Sequence, residues 1–162
     1  MKILVFSDSH NCIAPMLKMV QATSPDIICH LGDHDTDALT LEAAYPHIPL
    51  YVISGNCDID GLGGVVNSPN IDSFWGDVLT FKAEGKRIAM THGDRYRVKS
   101  GLEKLIPIGR ERGADILLFG HTHIPYYAQI GDMHVLNPGP ASHSCALIEI
   151  TDGEIICNHI SI

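Results

Sequence analysis

Five short polar clusters in this chain carry side chains that bind cations: Asp8-Ser9-His10, Gly32-Asp33, Gly55-Asn56, His92-Gly93 and Gly120-His121-Thr122-His123. Carboxylate, imidazole and amide oxygen are hard to borderline donors, and this mixture suits a pair of divalent cations better than one structural zinc. A carboxylate such as Asp33 can bridge two cations through its two oxygens, which an imidazole cannot do. Asp8 and His10 stand two apart, as do His121 and His123, so in extended chain the side chains of each pair share a side. No cluster is diagnostic alone. Asp8-Ser9-His10 reads as a polar loop or the cap of a following helix, Asn56 as a turn residue and His92 as a structural histidine. The signal is their succession, because each follows an apolar run.

Those runs are the elements that must hold the clusters. Ile3-Leu4-Val5-Phe6 is continuously apolar, as in a strand covered on both faces. Residues 26–31, 50–53, 87–90 and 115–119 read as further strands. Helices are expected over 14–22, 36–44 and 98–112, the last kinked or split at Pro107. Residues 61–70 read as a glycine-rich loop and 73–82 as one strand that turns at 83–86. Gly131-Asp132 and Asp152-Gly153 mark hairpins, 126–130 with 133–136 and 146–150 with 154–157. Strand and helix alternate in the first third and hairpins dominate the rest. Two packed sheets flanked by helices fit this better than one doubly wound sheet.

At 162 residues the chain is expected to form one domain, 1–162, with a sizeable core; 45% of it is hydrophobic. The net charge of −8 opposes general nucleic-acid binding and anionic membranes. It would also repel phosphate unless cations reverse the sign locally. No apolar run reaches the roughly 18 residues of a membrane span. The start of the chain opens into a strand without a signal-peptide pattern. The five cysteines show no CxxC spacing, which suits a reducing cytoplasm with free thiols.

In order, Asp-x-His, Gly-Asp, Gly-Asn, His-Gly and Gly-His-x-His resemble the calcineurin-like metallophosphoesterases, and within them the small single-domain phosphodiesterase branch of bacteria and archaea. Asn137-Pro138-Gly139 resembles a further element of that branch. The resemblance implies an α/β fold, a four-layer αββα sandwich of two mixed β-sheets flanked by helices. It implies two divalent ions per chain; mixed nitrogen and oxygen ligation suits several first-row ions, with Mn2+ taken first and Fe, Ni or Zn as alternatives. Asp8, His10 and His123 would hold one ion, Asn56, His92 and His121 the other, and Asp33 would bridge them. The implied reaction is hydrolysis of a small phosphate diester by a hydroxide between the metals. Asp33, Asn56, His92 and Asp58 are the expected catalytic residues.

Alternatives are a phosphomonoesterase acting on a small metabolite and a non-catalytic protein-binding scaffold of the same fold. A homodimer is compatible with the resemblance. One departure stands out: Gly55-Asn56-Cys57-Asp58 has cysteine where many relatives carry histidine. A thiol, with a pKa of about 8.5, is a weak hydrogen-bonding group. The departure favours esters that depart easily, or an acid from elsewhere, with Asp58 acting through water or merely orienting its loop. His34, Asp35 and Asp37 read as capping residues and favourable charge at a helix N-terminus, and Arg95 and Arg97 as solvated surface; His143 follows a stretch that the resemblance places near the site, with contact to substrate the lesser alternative.

Overall fold

Alternation along the strands decides the architecture. The computed structural model describes residues 1–58, 64–66, 71–75 and 77–162. In β1 (Lys2–Phe6), Ile3 and Val5 face one way and Leu4 and Phe6 the other, and all four are fully buried. A strand buried on both faces belongs inside a layered fold. β1 pairs in parallel with β2 (Ile27–His30), and β2 with β3 (Leu50–Val52). α1 (Ile13–Thr23) and α2 (Asp37–Ala44) form the crossovers. β4 (Gly64–Val66) adds antiparallel to β3.

The second sheet begins with β5 (Ile71–Trp75), β6 (Val78–Ala83) and β7 (Lys86–Met90), an antiparallel meander. α3 (Leu105–Glu111) leads to β8 (Ile116–Leu118), parallel to β7. β9 (Tyr126–Ile130) is an edge strand, hairpinned to β10 (Met133–Asn137), which lies parallel to β8. β11 (Ser144–Thr151) and β12 (Glu154–Ser161) return to the free edge of β1. The resulting orders are β12-β11-β1-β2-β3-β4 and β5-β6-β7-β8-β10-β9.

The sheets meet through Ile3, Val5, Tyr51 and Ile53 on one side and Phe81, Ile88, Met90 and Leu118 on the other. Tyr51 and Phe81 stack across this interface with ring centroids 3.8 Å apart. Removing a buried ring of this size costs about 3–5 kcal/mol. The opposite residues of the same strands, Leu4, Phe6 and Ile28, pack under Met16 and Val20 of α1 and Leu41 of α2. On the far side, Ala89, Leu117 and Val135 pack under Leu105 of α3. The layers are therefore αββα, as expected.

Local expectations needed correction. Of residues 61–70, the described three form β4 and not loop; the others lie outside the described residues. The single strand expected over 73–82 is two, because Trp75 pairs back on Val78. The helix expected over 98–112 breaks at Gly101 (φ 139°), not at Pro107. Pro107 sits in the first turn of α3, where a missing N–H costs nothing.

Candidate metal centre

Each sheet contains three neighbouring parallel strands, β1-β2-β3 and β7-β8-β10. The polar clusters leave the carboxyl ends of five of them, and Asn137 ends the sixth. The carboxyl end of parallel strands is where ligands bind in α/β sheets. Sharp turns aim the side chains. Asp8, His10, Asp33, His121 and His123 all have left-handed backbone, with φ of 51°, 42°, 56°, 66° and 59°. Such conformations cost non-glycine residues about 1–2 kcal/mol each and cluster at functional sites. At Gly55 the donor side chains themselves take the space of a Cβ. A Cβ on Gly55 would collide with Asp33 Oδ1 and come within 2.9 Å of His92 Cε1.

Two donor groups result. One donor atom each from Asp8, His10, Asp33 and His123 lie within 4.8 Å of one another, and so do those of Asp33, His92 and His121. Asp33 belongs to both: its Oδ2 lies 3.9 Å from His10 Nε2 and its Oδ1 3.4 Å from His92 Nε2. Asn56 Oδ1 joins the second group, 3.3 Å from His92 Nε2. His92 Nδ1 is 2.7 Å from the Leu31 carbonyl, which can only accept, so Nδ1 carries the proton. In the neutral ring Nε2 then points a lone pair at Asp33 Oδ1, Asn56 Oδ1 and His121 Nδ1, the last at 3.2 Å. In the first group Asp8 Oδ1 is buried without a hydrogen bond, 3.1 Å from His123 Nε2. Lone pairs converging in a half-buried pocket repel each other, and a cation among them converts repulsion into coordination. The donor set therefore fits divalent metal.

Charge states agree. Burial alone would raise the Asp33 carboxyl, but the Cys57 N–H at 3.0 Å, positive charge on the His92 and His10 rings where they carry it, and the Cys57 side chain outweigh it and hold the pKa below its ordinary value. Burial, His92 and the Lys99 ammonium keep the His121 pKa below the usual imidazole value. Both shifts favour the ligand forms, carboxylate and neutral imidazole.

Behind the donors lies a layer of hydrogen bonds. Asp58 accepts the N–H groups of His34 and Asp35 on Oδ1 and that of Gly55 on Oδ2, tying the Asp33 loop to the Asn56 loop. The Gly32 N–H donates to His30 Nδ1, so His30 Nε2 donates to Ser9 Oγ, and Ser9 donates to Asp37. Complete burial outweighs the surrounding carboxylates and lowers the His30 pKa. Ser54 donates to Asp35. Asn137 Nδ2 reaches the Gly120 carbonyl and Thr122 Oγ1, shaping the loop of His121 and His123.

Asp35 and Asp37 do not cap, since neither α1 nor α2 has a side-chain cap, and their carboxylates cross-link loops; Asp37 does place its charge in the first turn of α2, as expected. The histidine within the apolar run 26–31 was the signal for the His30 network, since a buried imidazole must find partners. Cys57 is exposed, and its thiol is pushed up by desolvation and the Asp33 charge. Arg95, Arg97 and His143 are exposed, the last paired with Ser142. His34 sets its ring edge-on to His10, 5.2 Å between centroids.

Residues 1–152 match the calcineurin-like phosphoesterase superfamily domain. Over 141 residues the chain is 28% identical to a probable metallophosphoesterase of Mycoplasma pneumoniae, covering 85% of this chain and 77% of that one. A 90-residue stretch, 56% of this chain and 43% of the relative, is 33% identical to the phosphodiesterase YfcE of Escherichia coli K12. Among solved structures, a predicted phosphoesterase of Streptococcus pneumoniae superposes with a TM-score of 0.73 at 23% identity, over 99% of this chain and 88% of that one. A single mutant of Vps29 from Entamoeba histolytica gives 0.72 at 21% identity, over 100% and 99%. These two are likenesses of fold. No helix among the described residues is long and apolar enough to cross a membrane.

Proposed function

The chain belongs to the calcineurin-like phosphoesterase superfamily, and from that premise we propose that it is a dinuclear metal-dependent phosphodiesterase acting on a small phosphate diester. The observation that carries this reading is one carboxylate, Asp33, shared between two groups of converging donors. Asp8, His10 and His123 would hold one ion and Asn56, His92 and His121 the other, with Asp33 common to both. Bound there, two divalent cations, Mn2+ first among Mn, Fe, Ni and Zn, would supply positive charge for the phosphate oxygens and lower the pKa of water at the site.

The protein's part is positioning. The Leu31 carbonyl fixes the His92 tautomer so that Nε2 faces inward. The Cys57 N–H steadies the Asp33 carboxylate. Asp58, with both oxygens engaged by backbone N–H groups, acts by holding two loops in register. Its role is thus positioning, and esters with easily departing alcohols or phenols suit a site whose Cys57 remains a thiol. A net charge of −8 makes cation loading a condition for binding an anionic substrate. The cysteine pattern supports a cytoplasmic setting.

The test is a panel of diesters and monoesters offered to Mn2+-reconstituted and chelated protein. The reading predicts faster turnover of bis(p-nitrophenyl) phosphate than of p-nitrophenyl phosphate, abolished by chelation. A monoester preference would assign a phosphomonoesterase instead. Metal binding with turnover of neither would favour a scaffold, a role compatible with the Vps29-like fold.

A further inference from the structure

The loops that carry His92 and His121 build a second feature beside the metal centre. A cleft of about 300 Å³ is lined by Val98, Leu102, Phe119, Ile124 and Tyr126, with Lys99 and Thr122 completing its wall. Its lining joins the donor groups along the chain in two places. Thr122 stands between His121 and His123. Gly93, which follows His92, lies against the cleft lining: a Cβ there would meet Val98 Cγ2 at 3.0 Å and Phe119 Cβ at 3.7 Å. The lining is aromatic and aliphatic. Phe119 is buried, and its ring lies 5.9 Å from that of Tyr126. At the mouth Ile124 is 65% exposed and Tyr126 36%. Grouped apolar side chains left open to water beside a polar centre mark a ligand surface. The volume is at the lower end of the roughly 300–1,000 Å³ that holds small organic ligands. The Thr122 hydroxyl is already engaged by Asn137 and the Ile124 backbone, so the cleft offers stacking and apolar contact more than hydrogen bonds. Lys99, whose charge reaches His121, adds positive charge to the wall of the cleft.

We propose that this cleft receives a planar aromatic or heteroaromatic arm of the substrate, making ring-bearing phosphate esters the preferred class. The assignment rests on the phosphoesterase reading above, and binding measurements separate the two. Titration calorimetry of Mn2+-loaded protein would compare inorganic phosphate, methyl phosphate and phenyl phosphate. Phenyl phosphate is expected to bind about tenfold more tightly than methyl phosphate, since the ring covers apolar surface that the methyl leaves open. The double variant Ile124→Ser, Tyr126→Ser should narrow that gap to about threefold or less. Leu39→Ser, an exposed apolar change on α2, should keep it and so control for general effects. Equal affinities for phenyl and methyl phosphate in the unaltered protein, as expected if the cleft instead covers a partner protein's side chain, would overturn the cleft assignment alone. A full gap persisting in the double variant would do the same. If none of the three phosphates bound, the metal-centre reading would fall and the cleft assignment with it.

Discussion

The two parallel triplets open toward the same centre and arm it differently. β1-β2-β3 delivers Asp8, Asp33 and Asn56 with a single imidazole, His10; β7-β8-β10 delivers only imidazoles, His92, His121 and His123. The oxygen-bearing side needs donors to tolerate buried negative charge, and it has them. Asp33 takes the Cys57 N–H, Asp58 takes three N–H groups, and Asp37 takes Ser9 and Asn11. The imidazole side needs only orientation. His92 obtains it from Leu31 on the opposing sheet, and the His121 loop from Asn137. Burying a carboxylate demands a hydrogen-bond network, while burying a neutral imidazole demands one well-placed partner.

That contrast can be broken most severely at the residue both sides share. Asp33→Asn should lower diester turnover on the order of 10³-fold, with a thermal melt by circular dichroism close to that of the parent. Turnover kept within tenfold would remove Asp33 from the centre. Next comes the support on each side. Asp58→Ala frees three N–H groups in two loops and should weaken Mn2+ binding by about 10–100-fold by calorimetry, with Asn137→Ala at the lower end of that range. Equal losses would show that the oxygen side needs no special support.

A smaller effect follows from His30. Its folded pKa is lowered, so below the ordinary value of 6.5 the unfolded chain takes up a proton that folded His30 refuses. Stability is therefore full above pH 6.5 and falls as the pH drops below it. Urea unfolding at pH 7.5, 6.5 and 5.5 should show this decline, shallower in His30→Gln. Identical slopes would clear His30. His121 and His134 act in the same direction and keep some slope in the variant. The Asp33 contribution is lost only at more acidic pH. The smallest change is expected from Cys57→Ser, within about threefold in turnover, because the backbone N–H keeps its hold on Asp33 and a serine hydroxyl can replace the thiol as the second donor from this residue. A tenfold loss would give the thiol a direct part.

The strand ends were legible because a strand buried on both faces is an unbroken apolar run, and a polar donor after its end interrupts it. Val5-Phe6 before Asp8 and Leu118-Phe119 before His121 show this most plainly. Donor types were legible too, since a carboxylate or imidazole is read directly from the residue. The left-handed turns at Asp8, His10 and Asp33 were not, because non-glycine residues adopt them only under constraint from distant neighbours. Nor was the His30-Ser9-Asp37 chain, whose members lie 21 and 28 residues apart and meet only once β1 and β2 pair. The break at Gly101 was hidden by Pro107, a stronger breaker in the sequence but harmless in a first turn.

The central claim is two ions sharing Asp33. Anomalous diffraction at the manganese edge, from crystals of Mn2+-reconstituted protein, tests it directly. Two peaks are expected, one among Asp8, His10 and His123 and one among Asn56, His92 and His121, each in contact with a different Asp33 oxygen. A single peak, or none touching Asp33, would contradict the account.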